Sequence, residues 1–154
     1  MPRGRERFSE PTMDGPVAET AGEPSATEFA PGPLRRALIV DDDDEAREYL
    51  RDLLSLGGFE VEAAADARGA RALIARRAPD VMLIDIMMPH ESGASLLRDL
   101  RAHGVPVPAL FVTAREGDAP DEYGRELDAS VVRKPFRAAD LLDAVTRAVA
   151  RITD

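Results

Sequence analysis

The chain has no cysteine and no tryptophan, and of its 20 basic residues only Lys134 is a lysine. Without cysteine neither a disulfide nor a thiolate metal site can operate, which agrees with a reducing compartment. No stretch approaches the roughly 18 consecutive apolar residues that a membrane span requires. The opening "MPRGRERFSE" carries positive charge but no apolar run behind it to make a secretion signal. A cytoplasmic protein without membrane attachment is expected. Positive charge is outweighed as well: 29 acids give a net charge of −9 and a pI near 4.8. Such a chain repels polyanions, and no long Lys/Arg run offers a local exception, so nucleic acid is not an expected partner.

What is present is enough apolar material, 44% of 154 residues, for one domain with a core and hardly for two. Residues 1–33 hold six of the twelve prolines, four of the eleven glycines and six acids against three arginines. Apolar residues are scattered singly there, so a disordered tail is expected, followed by an ordered domain over 34–154. In that domain "ALIV" (37–40), "VMLI" (81–84) and "PALFV" (108–112) are continuous apolar runs, as in strands buried on both faces of a parallel sheet. "FEVEA" (59–63) alternates like an edge strand, and "SVV" (130–132) reads as a short last one. Ala46, Tyr49, Leu50, Leu53 and Leu54 share one helix face, with Asp44 as its N-cap and Gly57-Gly58 as its stop. Ala70, Leu73, Ile74 and Ala78 give a second helix ended by Pro79. Leu96, Leu97 and Leu100 give a third, ending near Gly104. Leu141, Leu142, Val145 and Val149 give the last. Around 118–128, Gly117, Pro120 and Gly124 oppose a long regular helix. Strand and helix alternate five times, which predicts a doubly wound α/β domain with right-handed crossovers.

Each buried run is followed by a chemically useful residue. Asp41-Asp42-Asp43-Asp44 follows the first, Asp85 the second, Thr113 the third, and Lys134 follows "SVVR". Ligands bind at the carboxyl ends of parallel strands, beside the point where strand order reverses. With the order 2-1-3-4-5, Asp41 or Asp42 meets Asp85 across that crevice. Carboxylates about 4 Å apart repel by roughly 4 kcal/mol at an effective dielectric near 20, so a counter-cation is expected. Carboxylate oxygens with a backbone carbonyl and waters suit Mg²⁺. A hydroxyl and an ammonium beside such carboxylates would neutralise a phosphoryl group accepted by Asp85. Asp43 and Asp44 are read instead as helix caps.

"LIVDDD", "LIDIMMPHESG", "FVTA" and "RKPF" together resemble the motifs of the bacterial response-regulator receiver domain, over roughly residues 35–152. The resemblance implies a (βα)5 flavodoxin-like fold and Mg²⁺ as cofactor. It implies that Asp41 and Asp42 form the acidic pair, with Asp42 a direct metal ligand, and that Asp85 accepts the phosphoryl group. Met87 would supply a backbone carbonyl to the metal, Thr113 would bond the phosphoryl group and move with it, and Ala114 would leave room for access. Lys134 would contact a phosphoryl oxygen, Pro89 and Gly93 match the loop after the phosphorylated strand, and Lys134-Pro135 would be cis. A sensor histidine kinase or a histidine phosphotransfer protein would be the donor, so neither His90 nor His103 needs a role. The position where the family commonly places a switching aromatic residue is Val131. Because the last helix runs almost to Asp154, a stand-alone receiver that signals by contact is expected. Two rivals remain: a phosphorylation-independent scaffold, and an aspartyl-phosphate hydrolase of the haloacid dehalogenase type using Asp41 and Asp43, which leaves "DIMMP" unexplained. A nucleotide-binding module lacks a glycine-rich loop after the first strand.

Overall fold

The structure, a computed structural model, describes residues 35–153, with side chains described for 35–151. The tail expected over 1–33 lies outside the described residues. The continuous apolar runs form β1 (Arg36–Val40), β3 (Val81–Ile84) and β4 (Ala109–Thr113), every residue of which is buried. The alternating segment forms β2 (Glu60–Ala64), and the last strand is β5 (Ser130–Arg133); both are only partly covered, as sheet edges are. All pairings are parallel and the order is β2-β1-β3-β4-β5. Parallel neighbours require crossovers. They are supplied by α1 (Asp44–Leu56), α2 (Ala67–Arg76), α3 (Gly93–Ala102) and α4 (Ala119–Leu127), with α5 (Ala138–Thr153) closing the domain.

The period of two along each strand sorts its side chains between two apolar layers. Leu38, Val40, Met82, Ile84 and Phe111 pack with α2, α3 and α4, including Leu96, Leu97 and Leu127. Ala37, Ile39, Leu83, Leu110 and Val112 pack with α1 and α5, including Leu54, Leu141 and Val145. Each large side chain fully buried in this way contributes about 1.5–3 kcal/mol relative to exposure. None of the described helices is long and apolar enough to cross a membrane.

Four local expectations need correction. The N-cap of α1 is Asp43, whose extended backbone lets its carboxylate accept from Glu45 N at 3.1 Å; Asp44 is the first helical residue and pairs with Arg47. Tyr49 does not enter the core but is 49% exposed and stacks on Phe136. Ala78 is exposed and outside α2, because a residue before proline is driven out of the helical region, whereas Ala67 is buried. The fourth helix does form. Pro120 sits in its first turn, where a missing N–H breaks no helical bond. Gly124 is a close approach, since a Cβ there would lie 2.7 Å from Ala129 O and 3.0 Å from Val131 Cγ2. Asp128 ends the helix in a left-handed conformation, with Ala129 N bonded to Gly124 O at 2.9 Å.

Gly93 sets how closely α3 approaches the end of β3. A Cβ on it would lie 2.2 Å from Asp85 O and 2.7 Å from Ile84 Cγ2, so the start of α3 rests directly on the strand-end backbone. Gly93→Ala is expected to lower stability by about 3 kcal/mol, the upper range for overpacking against groups that cannot rotate away. Urea unfolding checks this; an unchanged midpoint would show that the loop gives way freely.

Candidate functional site

Strand register places the site. Val40 is opposite Ile84, so Asp41 and Asp85 emerge side by side from β1 and β3; Thr113 is opposite Arg133, so Lys134 follows beside it. Backbone bonds continue the ladder beyond the strands, from Asp85 N to Val40 O at 2.9 Å and from Lys134 N to Thr113 O at 2.9 Å. Four residues far apart in sequence thus share one sheet edge at the reversal of strand order.

Asp41 and Asp85 are buried, 1% and 8% exposed, and Thr113 is fully buried. The Lys134 ammonium lies between the two carboxylates, donating to Asp41 Oδ2 at 3.0 Å and to Asp85 Oδ2 at 3.5 Å. Asp41 Oδ1 accepts from Asp43 N at 2.9 Å, so both its oxygens are engaged. Asp85 Oδ1 accepts from Met87 N at 3.0 Å, while its Oδ2 takes the longer lysine contact. Asp42 is exposed, and among the described residues no hydrogen bond or ion pair engages its carboxylate. The Thr113 Oγ1 accepts from Arg115 N at 3.1 Å, which leaves its proton to donate.

Burial pushes the Asp85 carboxyl above its ordinary range, against the Met87 N–H and the Lys134 charge that pull it down; the Asp41 charge adds to the rise and the Thr113 hydroxyl opposes it. Burial pulls the Lys134 ammonium down, but the Asp41 hydrogen bond and the charges of both carboxylates hold it above its usual value. Both shifts favour less negative charge at the site: burial disfavours the Asp85 anion, and the two carboxylates favour the Lys134 cation.

Oxygen atoms of Asp41, Asp42 and Asp85 lie within 4.8 Å of one another. A small set of hard oxygen donors with one open, solvated side fits Mg²⁺, which binds through few carboxylates and keeps waters. The uncommitted Asp42 carboxylate suits direct ligation better than Asp41, whose oxygens are already occupied. For Met87 the contact formed is its N–H to Asp85. Ala114 is exposed beside Thr113, and the Lys134-Pro135 bond is cis. Val131 does not join the site; it is half-buried on the other side of β5, against Gly124 and the layer of α2, α3 and α4. His90 is exposed in the loop, and His103 caps α3 with Nδ1 2.8 Å from Asp99 O.

Two supporting residues escaped the sequence reading. Arg47 donates to Asp41 O at 2.7 Å from α1, and Arg133 donates to Arg115 O at 3.1 Å, Gly117 O at 3.0 Å and Asp121 at 3.0 Å. Arg47 also pairs with Asp44, but the contacts that reach the strand ends are to carbonyls, and a carbonyl carries no signature in a sequence.

A carboxyl whose folded pKa exceeds its unfolded value adds stability that is complete below the unfolded pKa and is lost as pH rises through the folded one. Ionised Asp85 is therefore a cost at pH 7. Without Mg²⁺, Asp85→Asn is expected to unfold at higher urea than wild type at pH 7, with the gap closing as pH falls through the carboxylate range. Parallel urea titrations at the two pH values check it, and a variant less stable at pH 7 would contradict it.

The sequence family described as "Response regulator receiver domain" matches residues 37–146. The response regulator MprA of Mycolicibacterium vanbaalenii is 44% identical over 121 residues, covering 77% of this chain and 51% of that protein. MprA of Mycobacterium leprae is 41% identical over the same length, covering 77% and 52%. The chain thus spans about half the length of these relatives. Among solved structures, a Francisella response regulator receiver domain superposes with TM-score 0.71 at 27% identity, covering 77% of this chain and 98% of that one. A CheY-like receiver from Methanospirillum hungatei gives 0.72 at 28%, covering 77% and 96%.

Proposed function

The chain belongs to the response regulator receiver family of bacterial two-component signalling, and we propose that it accepts a phosphoryl group on Asp85 from a sensor histidine kinase or a histidine phosphotransfer protein. The observation that carries this reading is the shared ammonium: Lys134 is held firmly by Asp41 and loosely by Asp85, which leaves an Asp85 oxygen free to react.

Asp85 attacks the phosphorus of the donor phosphohistidine; a P–O bond forms, the P–N bond breaks, and the electron pair returns to the imidazole. Lys134 then turns from the carboxylate to a phosphoryl oxygen, and Thr113 donates its hydroxyl proton to another. Met87 N–H keeps the second Asp85 oxygen oriented during transfer. Asp42, with Asp41 and Asp85, would hold Mg²⁺, which supplies charge neutralisation to the phosphoryl oxygens. A lysine serves here where an arginine would not, because a fork would clamp Asp85 through two bonds, whereas a compact ammonium changes partner.

Signalling depends on Thr113. Its movement toward the new dianion drags Ala114 and Arg115, and with them the loop that Arg133 ties to α4. The altered face is offered to a protein target, not to nucleic acid. A scaffold that never uses phosphorylation is the second reading, and small Val131 on β5 is the observation in its favour, because it removes the aromatic part of the switch. No turnover of phosphate esters is expected, in contrast to a hydrolase.

Incubation with acetyl phosphate and Mg²⁺ is expected to label wild type at one phosphoryl group per chain and Asp85→Asn at none, read by intact mass. Lys134→Arg should fold and bind Mg²⁺ but lose most of the conformational response to beryllium fluoride. Steady release of phosphate without labelling would favour the hydrolase, and neither labelling nor response would favour the scaffold.

A further inference from the structure

The loop between Asp85 and α3 is held in an unusual way. Gly93 N bonds Ile86 O at 3.0 Å and closes the loop at its base. Near its tip, Glu91 N bonds Pro89 O at 2.8 Å, a three-residue turn centred on His90 with φ 71°. Turns of this kind are uncommon, and positive φ is disfavoured for a residue with a Cβ, although histidine tolerates it better than most. The surroundings here include one side chain from another element. Arg71 on α2 grips Glu91 with both terminal guanidinium nitrogens, at 2.7 and 2.8 Å, and donates to Asp99 on α3 from one of them at 2.8 Å and from Nε at 3.2 Å. Ser95 Oγ donates to the same Glu91 carboxylate at 3.2 Å. The Arg71 hydrogen bond holds the Glu91 carboxyl below its ordinary range, as a formed pair requires.

We propose that Arg71 is a positioning residue for the phosphoryl-accepting site: by clamping Glu91 it keeps the left-handed turn at His90 closed and so fixes the backbone from Met87 onward against Asp85. The link is short. Met87 stands three residues before His90, and its N–H orients the Asp85 carboxylate at 3.0 Å. An open turn would let residues 87–91 drift, loosening the aspartate and whatever cation binds beside it, although no atom of the clamp touches the site. Groups that orient a metal's ligands from behind commonly affect metal affinity in this way. The assignment rests on the phospho-acceptor reading above.

Mg²⁺ titration by calorimetry, with circular dichroism to verify folding, tests it. Arg71→Gln and Glu91→Gln should each weaken Mg²⁺ binding roughly tenfold, the lower range for such partners. Arg71→Lys, which keeps the charge but not the fork, should fall between these and wild type. Adding His90→Gly to Arg71→Gln should recover much of the loss, because glycine holds the turn without imposed strain. Arg98→Gln, which removes a comparable two-bond pair to Glu126 elsewhere on α3, should bind as wild type does. Folded Arg71→Gln with wild-type affinity, equal loss in Arg98→Gln, or no recovery with His90→Gly would overturn the assignment. A wild type that neither binds Mg²⁺ nor takes label would overturn the phospho-acceptor reading, and the assignment with it.

Discussion

One ammonium serves two buried carboxylates, and the rest of the domain is arranged around that shortage. Lys134 sits 3.0 Å from Asp41 and 3.5 Å from Asp85, with Asp42 adding a third negative group at the open side. Taking such charges out of water costs several kcal/mol per ion, so the cluster persists only where the frame holds its members in place. The frame is the parallel sheet, whose central strands are buried along their whole length. Its excess of negative charge is what a bound Mg²⁺ would offset under the proposed function, leaving Lys134 and the cation to face a phosphoryl group.

Rigidity at the site is built from backbone contacts. Gly93 brings α3 onto the Asp85 carbonyl, Arg47 secures the carbonyl of Asp41, and Met87 N–H fixes one oxygen of Asp85. The opposite wall is looser. Thr113 leads into an exposed loop held by Arg133 through two carbonyls and Asp121, and α4 is a nine-residue helix brought close to β5 by Gly124. One side of the crevice is therefore held by close backbone contacts, and the other by few exposed bonds.

Much of this was legible in the sequence because it depends on burial and period. Apolar runs bounded by turns marked the strands, and the strand-end residues Asp41, Asp85, Thr113 and Lys134 fell together once the order 2-1-3-4-5 brought their strands side by side. Legibility failed where tertiary geometry overrides a residue's average behaviour. Pro120 and Gly124 read as helix breakers, yet one occupies a first turn and the other a close contact. Tyr49 read as core by spacing, yet Phe136 gives it a partner at the surface. Arg71 carried no signal at all, because its partners lie 20 and 28 residues away and no local pattern marks them.

The central claim is that Lys134 changes partner, and the composition makes this directly measurable. As the chain contains a single lysine, selective ¹³C,¹⁵N-lysine labelling gives an NMR spectrum with one lysine signal. Addition of Mg²⁺ and beryllium fluoride should move the side-chain resonance of that signal in wild type, while Asp85→Asn under the same conditions should leave it where Mg²⁺ alone puts it. A wild-type signal that ignores beryllium fluoride would show that the ammonium stays with its carboxylates, and would contradict the account.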